Sequence, residues 1–497
     1  MIVHLLGVVL ISGVLTTFGA ATAAGSPLQL EASAQATTEQ APKKAKKAKK
    51  PKDPDKAAKT KKPKTKKPKS DQPAPDEPID PDAEEAPPVE VPGPFVWKQH
   101  PSFRYKKAVR VDFEAKFQED GHSSYQGSDK AAGLDPWEMH RNRIGIQGTL
   151  FKHIDFEVER ELTEQELTEK DITAGITPKS QWKDVNVNVD YIKNAQIQVG
   201  KFKIPFGLDE LTGVTHNDYV YRSAGANYLA PARDIGAMVH GRFFKRGLSY
   251  ATGVFLHDGD NARSKKIAGG DQTFAARVTG KPFRRLSHTW FDALELGTAL
   301  AFTHVTDDSF RPNGLRGRTI MTQDNFALPV YVKGQRSRWE GDLDWTVGPA
   351  SLRAEYTRVV DERRNQSFTD GDLPDARYRS WYISGTWLIT GETKTRPVKP
   401  DRELFGGGLG AVEVAVRYER IMFDSVNGAV DAFSNPRAEN ILPTGERALT
   451  LGVNWTVNRF IKLQFNGIRE HVDDPDRNPV PNGEAFWSRV VRLQLVL

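Results

Sequence analysis

The chain has 497 residues, a formal net charge of +6, a hydrophobic fraction of 38% and no cysteine. Zero cysteine excludes a disulfide framework and thiolate metal sites. Beyond the N-terminus no apolar run approaches the ~20 residues that a membrane helix needs, so the length suits either several soluble domains or one large barrel.

In chain order, residues 1–24 come first. Leu5 to Ala24 is apolar and ends in small residues, with Ala21-Thr22-Ala23 as an A-x-A cleavage site. The charge at its start is weak, so a membrane anchor is the alternative. The Gly- and Ala-rich end favours a cleaved signal peptide and an exported chain. Residues 25–95 are low in complexity: a Lys/Ala/Pro-rich run is followed by the acidic, Pro-rich DQPAPDEPIDPDAEEAPPVEVPGP. Such a composition buries too little apolar surface to offset ordering entropy, and a disordered tail is expected. Its lysines suit contact with an anionic envelope polymer better than with nucleic acid.

The texture changes in residues 96–497. Lysine gives way to arginine, the first of which is Arg104. Short alternating runs then recur to the last residue. AVRVDFEAKF sets Val109, Val111 and Phe113 against Arg110, Asp112 and Glu114. About sixteen such segments, starting from Tyr105 and ending with Phe486, approach the ~10 residues each that barrel strands need. Short connections (FKH, IKN, KRG, VGPA, TVNR) alternate with long polar ones, as in an outer-membrane barrel. Thr390 to Leu409 breaks this rule, being long where a short turn is due.

GAVEVAVRYER, Gly410 to Arg420, decides which face points in. Val412, Val414, Val416 and Tyr418 share one parity; Glu413, Arg417 and Glu419 share the other. A dry interior cannot supply partners for so many charges in strand after strand, so the charged parity lines a wet lumen and the apolar parity meets lipid. Trp137, Trp182, Trp290, Trp381, Trp455 and Trp487 are expected near strand ends, as an interfacial girdle. The last segment, FWSRVVRLQLVL, ends on an apolar outward residue and looks like an assembly signal. The expected fold is all-β, a transmembrane antiparallel barrel of about sixteen strands behind a disordered N-terminal tail. A soluble or surface β-sandwich binding protein is the alternative.

VGKFKIPFGLDEL, APARDIGAMVHGRF, YATGVFLHDGD, WYISGTWLITGE, GAVEVAVRYERI and LGVNWTVNRFIKLQFN occur in that order. Together they resemble the phosphate-selective porin O and P family, from Tyr105 to Leu497. The resemblance implies a homotrimeric anion porin integral to the Gram-negative outer membrane, passing inorganic phosphate or other small anions. It also accounts for the long stretch after Thr390, whereas the lysine tail is no part of the family pattern. With an even strand count both termini, and so the tail, fall on the periplasmic side.

A porin needs width, water and a field rather than a reaction. Guanidinium suits phosphate because its planar fork binds two oxygens and keeps its charge. The polar parity carries Arg110, Arg141, Arg143, Arg242, Arg277, Arg353, Arg417 and Arg492, with carboxylates on the same faces. Pairing that merely braces the wall is the bland alternative for each. The third long loop, Gly207 to Asp234, is implied by the resemblance to fold into the lumen as the constriction. Arg222 and Arg233 are its cations, His216 is a conditional third, and Lys201 and Lys203 precede it. The loop departs from the family's lysine-rich constriction: it has no lysine and carries Asp209, Glu210 and Asp218. That departure weighs against phosphate specificity but not against a porin. HDGDNARS, FTDGDLPDARY and REHVDDPDRN read as turns rather than calcium or metal loops. No nucleophile–base pair stands out, and His140 and His240 have no evident partners. An outer-membrane barrel enzyme is the remaining alternative; neither catalysis, metal nor cofactor is expected.

Overall fold

The computed structural model describes residues 95–97, 100–106, 108–124, 137–163, 181–245, 247–261, 272–284, 290–306 and 312–497. The expected signal peptide and tail lie outside these residues.

Sixteen antiparallel strands close on themselves: β1 Val109–Ser123, β2 Trp137–Leu150, β3 Ile154–Glu161, β4 Trp182–Val189, β5 Gln196–Lys203, β6 Arg233–Phe243, β7 Leu248–Phe255, β8 Thr273–Gly280, β9 Glu295–Val305, β10 Gly334–Val347, β11 Ala350–Arg363, β12 Leu373–Leu388, β13 Ala411–Ser425, β14 Thr444–Thr456, β15 Ile461–Val472 and β16 Phe486–Val496. Each pairs with its sequence neighbour, and β16 pairs with β1 from Arg489↔Ser123 to Val496↔Lys116, which removes the sheet edge. The lower part of β1 is left uncovered by β16. A hairpin of two short strands, Phe95–Trp97 and Pro101–Tyr105, supplies the missing ladder from Ser102↔Asp112 to Tyr105↔Val109. The first strand therefore starts at Val109, and Tyr105 belongs to this hairpin.

The parity expectation holds. In β13 the charged side chains are buried, with Glu413, Arg417 and Glu419 each 2% exposed, while Val414, Val416 and Tyr418 are 39–46% exposed. This inversion repeats around the barrel, and an apolar belt of that size requires lipid rather than water. A β-sandwich, which would bury its apolar face, is ruled out. The tight turns face one end. Between β2 and β3, Phe151 and Lys152 both have left-handed backbones, φ 53° and 70°, the conformation that a two-residue hairpin demands. Trp137, Trp182, Trp455 and Trp487 sit at strand ends. Trp381 does not: it lies midway along β12 and packs on Tyr418 at 5.6 Å between ring centres.

Candidate functional site: the constriction and its charged wall

Residues 204–232, between β5 and β6, fold into the barrel and are buried along most of their length. Two short helices, α1 Leu208–Leu211 and α2 Ala224–Tyr228, shape this loop. Buried backbone needs partners, and the far wall provides them. Glu355 on β11 accepts from Asp209 N at 2.9 Å, and Glu419 on β13 accepts from Ala224 N at 2.6 Å. Asn466 on β15 accepts from Val220 N at 2.8 Å, while Arg492 on β16 donates to Val220 O at 2.8 Å. The loop is thus strapped mainly to β11–β16; toward β1–β6, its more open side, its described bonds are fewer, from Gln118, His122 and Lys203.

Two further segments fold inward. Residues 312–333 form an apolar cluster with the loop: Leu315, Phe326, Val330 and Val332 pack with Tyr228 and Leu229. The run Ala327–Val332, ALPVYV, was the sequence signal for this burial inside a nominally polar loop. The long turn between Thr390 and Leu409 also returns into the lumen. Its Lys394 is fully buried and donates to Asp218 of the constriction loop at 2.6 Å and to Glu413 of β13.

On the turn side of the constriction lies a cavity of about 1140 Å³. Lys116, Arg143, Lys203, Arg233, Arg396 and Lys462 line it, mixed with Glu114, Glu157, Glu159 and Asp184. His216 at the loop's tip faces it. Burial first, then the charges of Lys462, Lys116, Lys203 and Arg396, push this imidazole below its ordinary value, so it is neutral at pH 7 rather than a third cation.

The expected site residues divide by their partners. Arg277 bonds Glu340 at 2.8 Å and Asp342 at 2.6 Å, bracing the wall. Arg353 binds Asp344 at 2.8 Å and reaches Thr212 Oγ1 at 3.2 Å; Arg417 binds Glu419 and donates to Tyr221 O at 3.0 Å. Both therefore hold the loop in place. Arg110 pairs with Asp112 at 3.2 Å near the start of β1, and Arg242 is exposed near the end of β6, so both lie at the turn end, away from the constriction. The remaining cations do gather on the open side. Arg143 bonds Glu161 at 2.7 Å and Glu159 at 3.0 Å; Arg233 bonds Asp184 at 2.7 Å; Lys201 pairs with Asp260 at 3.1 Å. Lys203 donates to the carbonyls of Glu210, Leu211 and Thr212. Arg222 donates to Asp209 O at 2.9 Å and Thr212 O at 2.5 Å, with Glu210 at 3.6 Å.

Arg141 differs from all of these. Among the described residues it bonds only a neutral group, Gln118 Oε1 at 2.6 Å, with Arg143, Arg222, Arg492 and Glu161 as neighbouring charges. Lys183, which parity reading missed, has no ion pair or hydrogen bond among the described residues and lies among Arg143, Arg233, Glu161 and Asp260. A bulge brings it there: Val158↔Val185 and Arg160↔Trp182 leave Lys183 and Asp184 together opposite Glu159.

The loop's carboxylates are consumed internally. Asp209 accepts from Ser223 N at 2.7 Å, Glu210 faces Arg222, and Asp218 is taken by Lys394. The HDGD acids are also engaged: Asp258 is gripped by Arg336 and Arg338, and Asp260 by Lys201. In FTDGDLPDARY, Asp372 accepts from Asn365 N at 2.8 Å, and in REHVDDPDRN Asp474 caps Asp476 N at 3.1 Å, as turns do. His240 does have a partner, Asn188 at 3.0 Å, and His140 lies 3.3 Å from Glu138.

A closed sixteen-stranded barrel, apolar outside, with an inner loop narrowing a charged lumen, is a porin. The family model of phosphate-selective porins O and P matches residues 111–497, and the chain belongs to that family of outer-membrane channels. Porin O of Pseudomonas aeruginosa is 23% identical over 428 residues, covering 80% of this chain and 88% of that protein. Among solved structures, OmpT of Vibrio cholerae is similar at TM-score 0.49 and 11% identity, covering 79% of this chain and 99% of that one. An anion-selective porin from Comamonas acidovorans is similar at TM-score 0.46 and 13% identity, covering 78% and 100%.

Proposed function

We propose that this porin conducts small oxyanions, inorganic phosphate among them, past a positive wall made by Arg141 and Lys183, with Arg143, Arg233 and Arg222 behind them. One observation carries the reading. On the open side of the constriction these two cations have no carboxylate partner among the described residues, while the loop's own acids are engaged elsewhere. In a passage walled by protein, field lines are focused and an excess charge counts for more than on an open surface. Arg222 and Arg233 stand at the narrow part but largely serve Glu210, Asp184 and loop carbonyls, so their share of the field is smaller. The family's description, phosphate-selective porin O and P, agrees with a phosphate substrate.

Reversal potentials across a planar bilayer in a salt gradient test this. The wild type should favour anions. Arg141→Gln with Lys183→Gln should move the potential toward the cation side and weaken block of chloride current by phosphate. A cation-selective wild type, or an unmoved potential in the double variant, would overturn it.

The working assembly is a homotrimer in outer-membrane lipid, as the family implies. Residues 1–24 are a cleaved signal peptide, and the tail of residues 25–95 reaches from the periplasmic end toward anionic envelope polymer. Its lysines act through screened charge, so binding to cell-wall sacculi should fall with added salt.

A further inference from the structure

On the opposite side of the constriction from the large cavity, β1 and β2 set two carboxylates directly across from each other: Asp120↔Glu138. Like charges opposite one another on adjacent strands are unfavourable unless a cation offsets them. Arg492 takes Asp120 through two bonds of 2.6 Å, but among the described residues Glu138 pairs only with imidazoles. His122 stands two residues beyond Asp120 on β1, and His140 two residues beyond Glu138 on β2. Both turn to the same spot. His140 Nδ1 lies 3.3 Å from Glu138 Oε1 and 3.5 Å from Asp120 Oδ2. His122 Nε2 lies 3.8 Å from each of the same two oxygens.

A β-bulge produces this arrangement. Gln118 pairs with Arg141 and Glu119 with Met139, which leaves His140 as the extra residue of β2. Without the bulge, consecutive His140 and Arg141 would point to opposite faces. With it, Arg141 serves the anion path and His140 faces Asp120 and Glu138.

The distances are those of a coordination shell slightly expanded. Donors ~2.0–2.1 Å from a tetrahedral zinc ion lie roughly 3.3–3.4 Å apart. The donor atoms of Asp120, Glu138 and His140 all lie within 4.8 Å of one another; His122 stands outside that set, 3.8 Å from both oxygens, and must swing inward to make a fourth donor. Two imidazoles and two carboxylate oxygens suit a borderline cation such as zinc better than calcium or magnesium, which take oxygen. Arg492 fixes the Asp120 carboxylate, as outer partners of metal ligands do, and each carboxylate oxygen has lone pairs for both roles. Glu138, with its side chain 45% exposed, leaves an approach from the aqueous lumen.

We propose that Asp120, His122, Glu138 and His140 form a binding site for a zinc-class divalent metal ion on the lumen wall beside the constriction. Tyr221 of the constriction loop touches His122 Nε2 at 3.2 Å, so metal capture exchanges that hydrogen bond for coordination and bears on the loop itself. A dication beside Arg141 also adds positive charge to the anion path.

The test is a ZnCl2 titration of the full-length barrel in detergent, by calorimetry and by metal analysis after dialysis. One equivalent per protomer should bind at micromolar zinc, and substitution by Co2+ should give the visible absorption of a tetrahedral site. His122→Ala with His140→Ala should weaken binding ~tenfold or more, and His240→Gln should leave it unchanged. Should the double variant fail to form a heat-modifiable barrel, Glu138→Gln is the second variant, again with weakened binding expected. Absence of a saturable site in the wild type, or wild-type affinity in a folded variant lacking these donors, would overturn the proposal.

Discussion

An arginine in this lumen is defined by what it touches. Arg277, Arg353 and Arg417 answer carboxylates and carbonyls, whereas Arg141 answers a single amide oxygen. Sequence could place all of them on the inward parity and could not rank them, because pairing depends on neighbours from other strands. His216 shows the same dependence. Burial lowers its pKa first, then the charges of Lys462 from β15, Lys116 from β1, Lys203 from β5 and Arg396 from the long turn, in a cavity that also holds Glu114, Glu157, Glu159 and Asp184. Its proton affinity is lowered, so it is neutral at pH 7 and gains charge only as pH falls below the ordinary imidazole range. By the same sign, that protonation costs stability as pH falls through this window. Anion selectivity of the wild type should therefore increase on acidification from pH 7 toward 5, and His216→Asn should reduce the increase. Reversal potentials measured across that range check this.

At the scale of elements, strand parity worked where the ladder was regular and failed at two bulges. The one in β2 turns His140 and Arg141 inward together; the one between β3 and β4 does the same for Lys183 and Asp184. An extra residue leaves no mark in an alternating pattern until the partner strand is known. Regular stretches allow a direct test of sidedness. Val187 of β4 is 43% exposed to the outside, whereas Asn188 faces the lumen. Val187→Arg puts a charge in lipid, a cost that rises to ~2–4 kcal/mol toward the membrane midplane, and should reduce folded yield, while Asn188→Arg should be tolerated. Heat-modifiable mobility of refolded protein reads both. The turn from Thr390 to Leu409 acts as a strut under the constriction. Burial alone would push the Asp218 carboxyl up, but Lys394, Arg396 and Arg353 hold it well below the usual range. That contribution is present above the ordinary carboxylate range and is lost only as pH falls far beneath it. Lys394→Ala removes the cation shared by two buried carboxylates, a cost of about 3–5 kcal/mol. It should lower the unfolding temperature and raise open-channel noise as the loop loosens, seen by thermal scans and single-channel recording.

For the whole molecule, the barrel closes through β16 on β1, and the N-terminal hairpin covers the part of β1 that β16 does not reach. The described ladders of that closure begin at Phe95. Deleting residues 27–92 should leave a heat-modifiable, channel-forming barrel; loss of bilayer insertion would give the tail a role in assembly.

The sequence by itself determined the strand count, most strand positions to within a few residues, and the faces; the infolding of the loop after β5 came from the family resemblance. Alternation, turn residues and loop lengths are local, and each is written in consecutive residues. It also marked the long turn after Thr390 as irregular without saying why. Tertiary structure alone decided that this turn drives Lys394 up to Asp218, that residues 312–333 pack an apolar plug beside the loop, and which cations remain uncompensated. Those outcomes depend on groups hundreds of residues apart, such as Arg492 and Asp120, meeting across a closed lumen, and no local pattern encodes such a meeting.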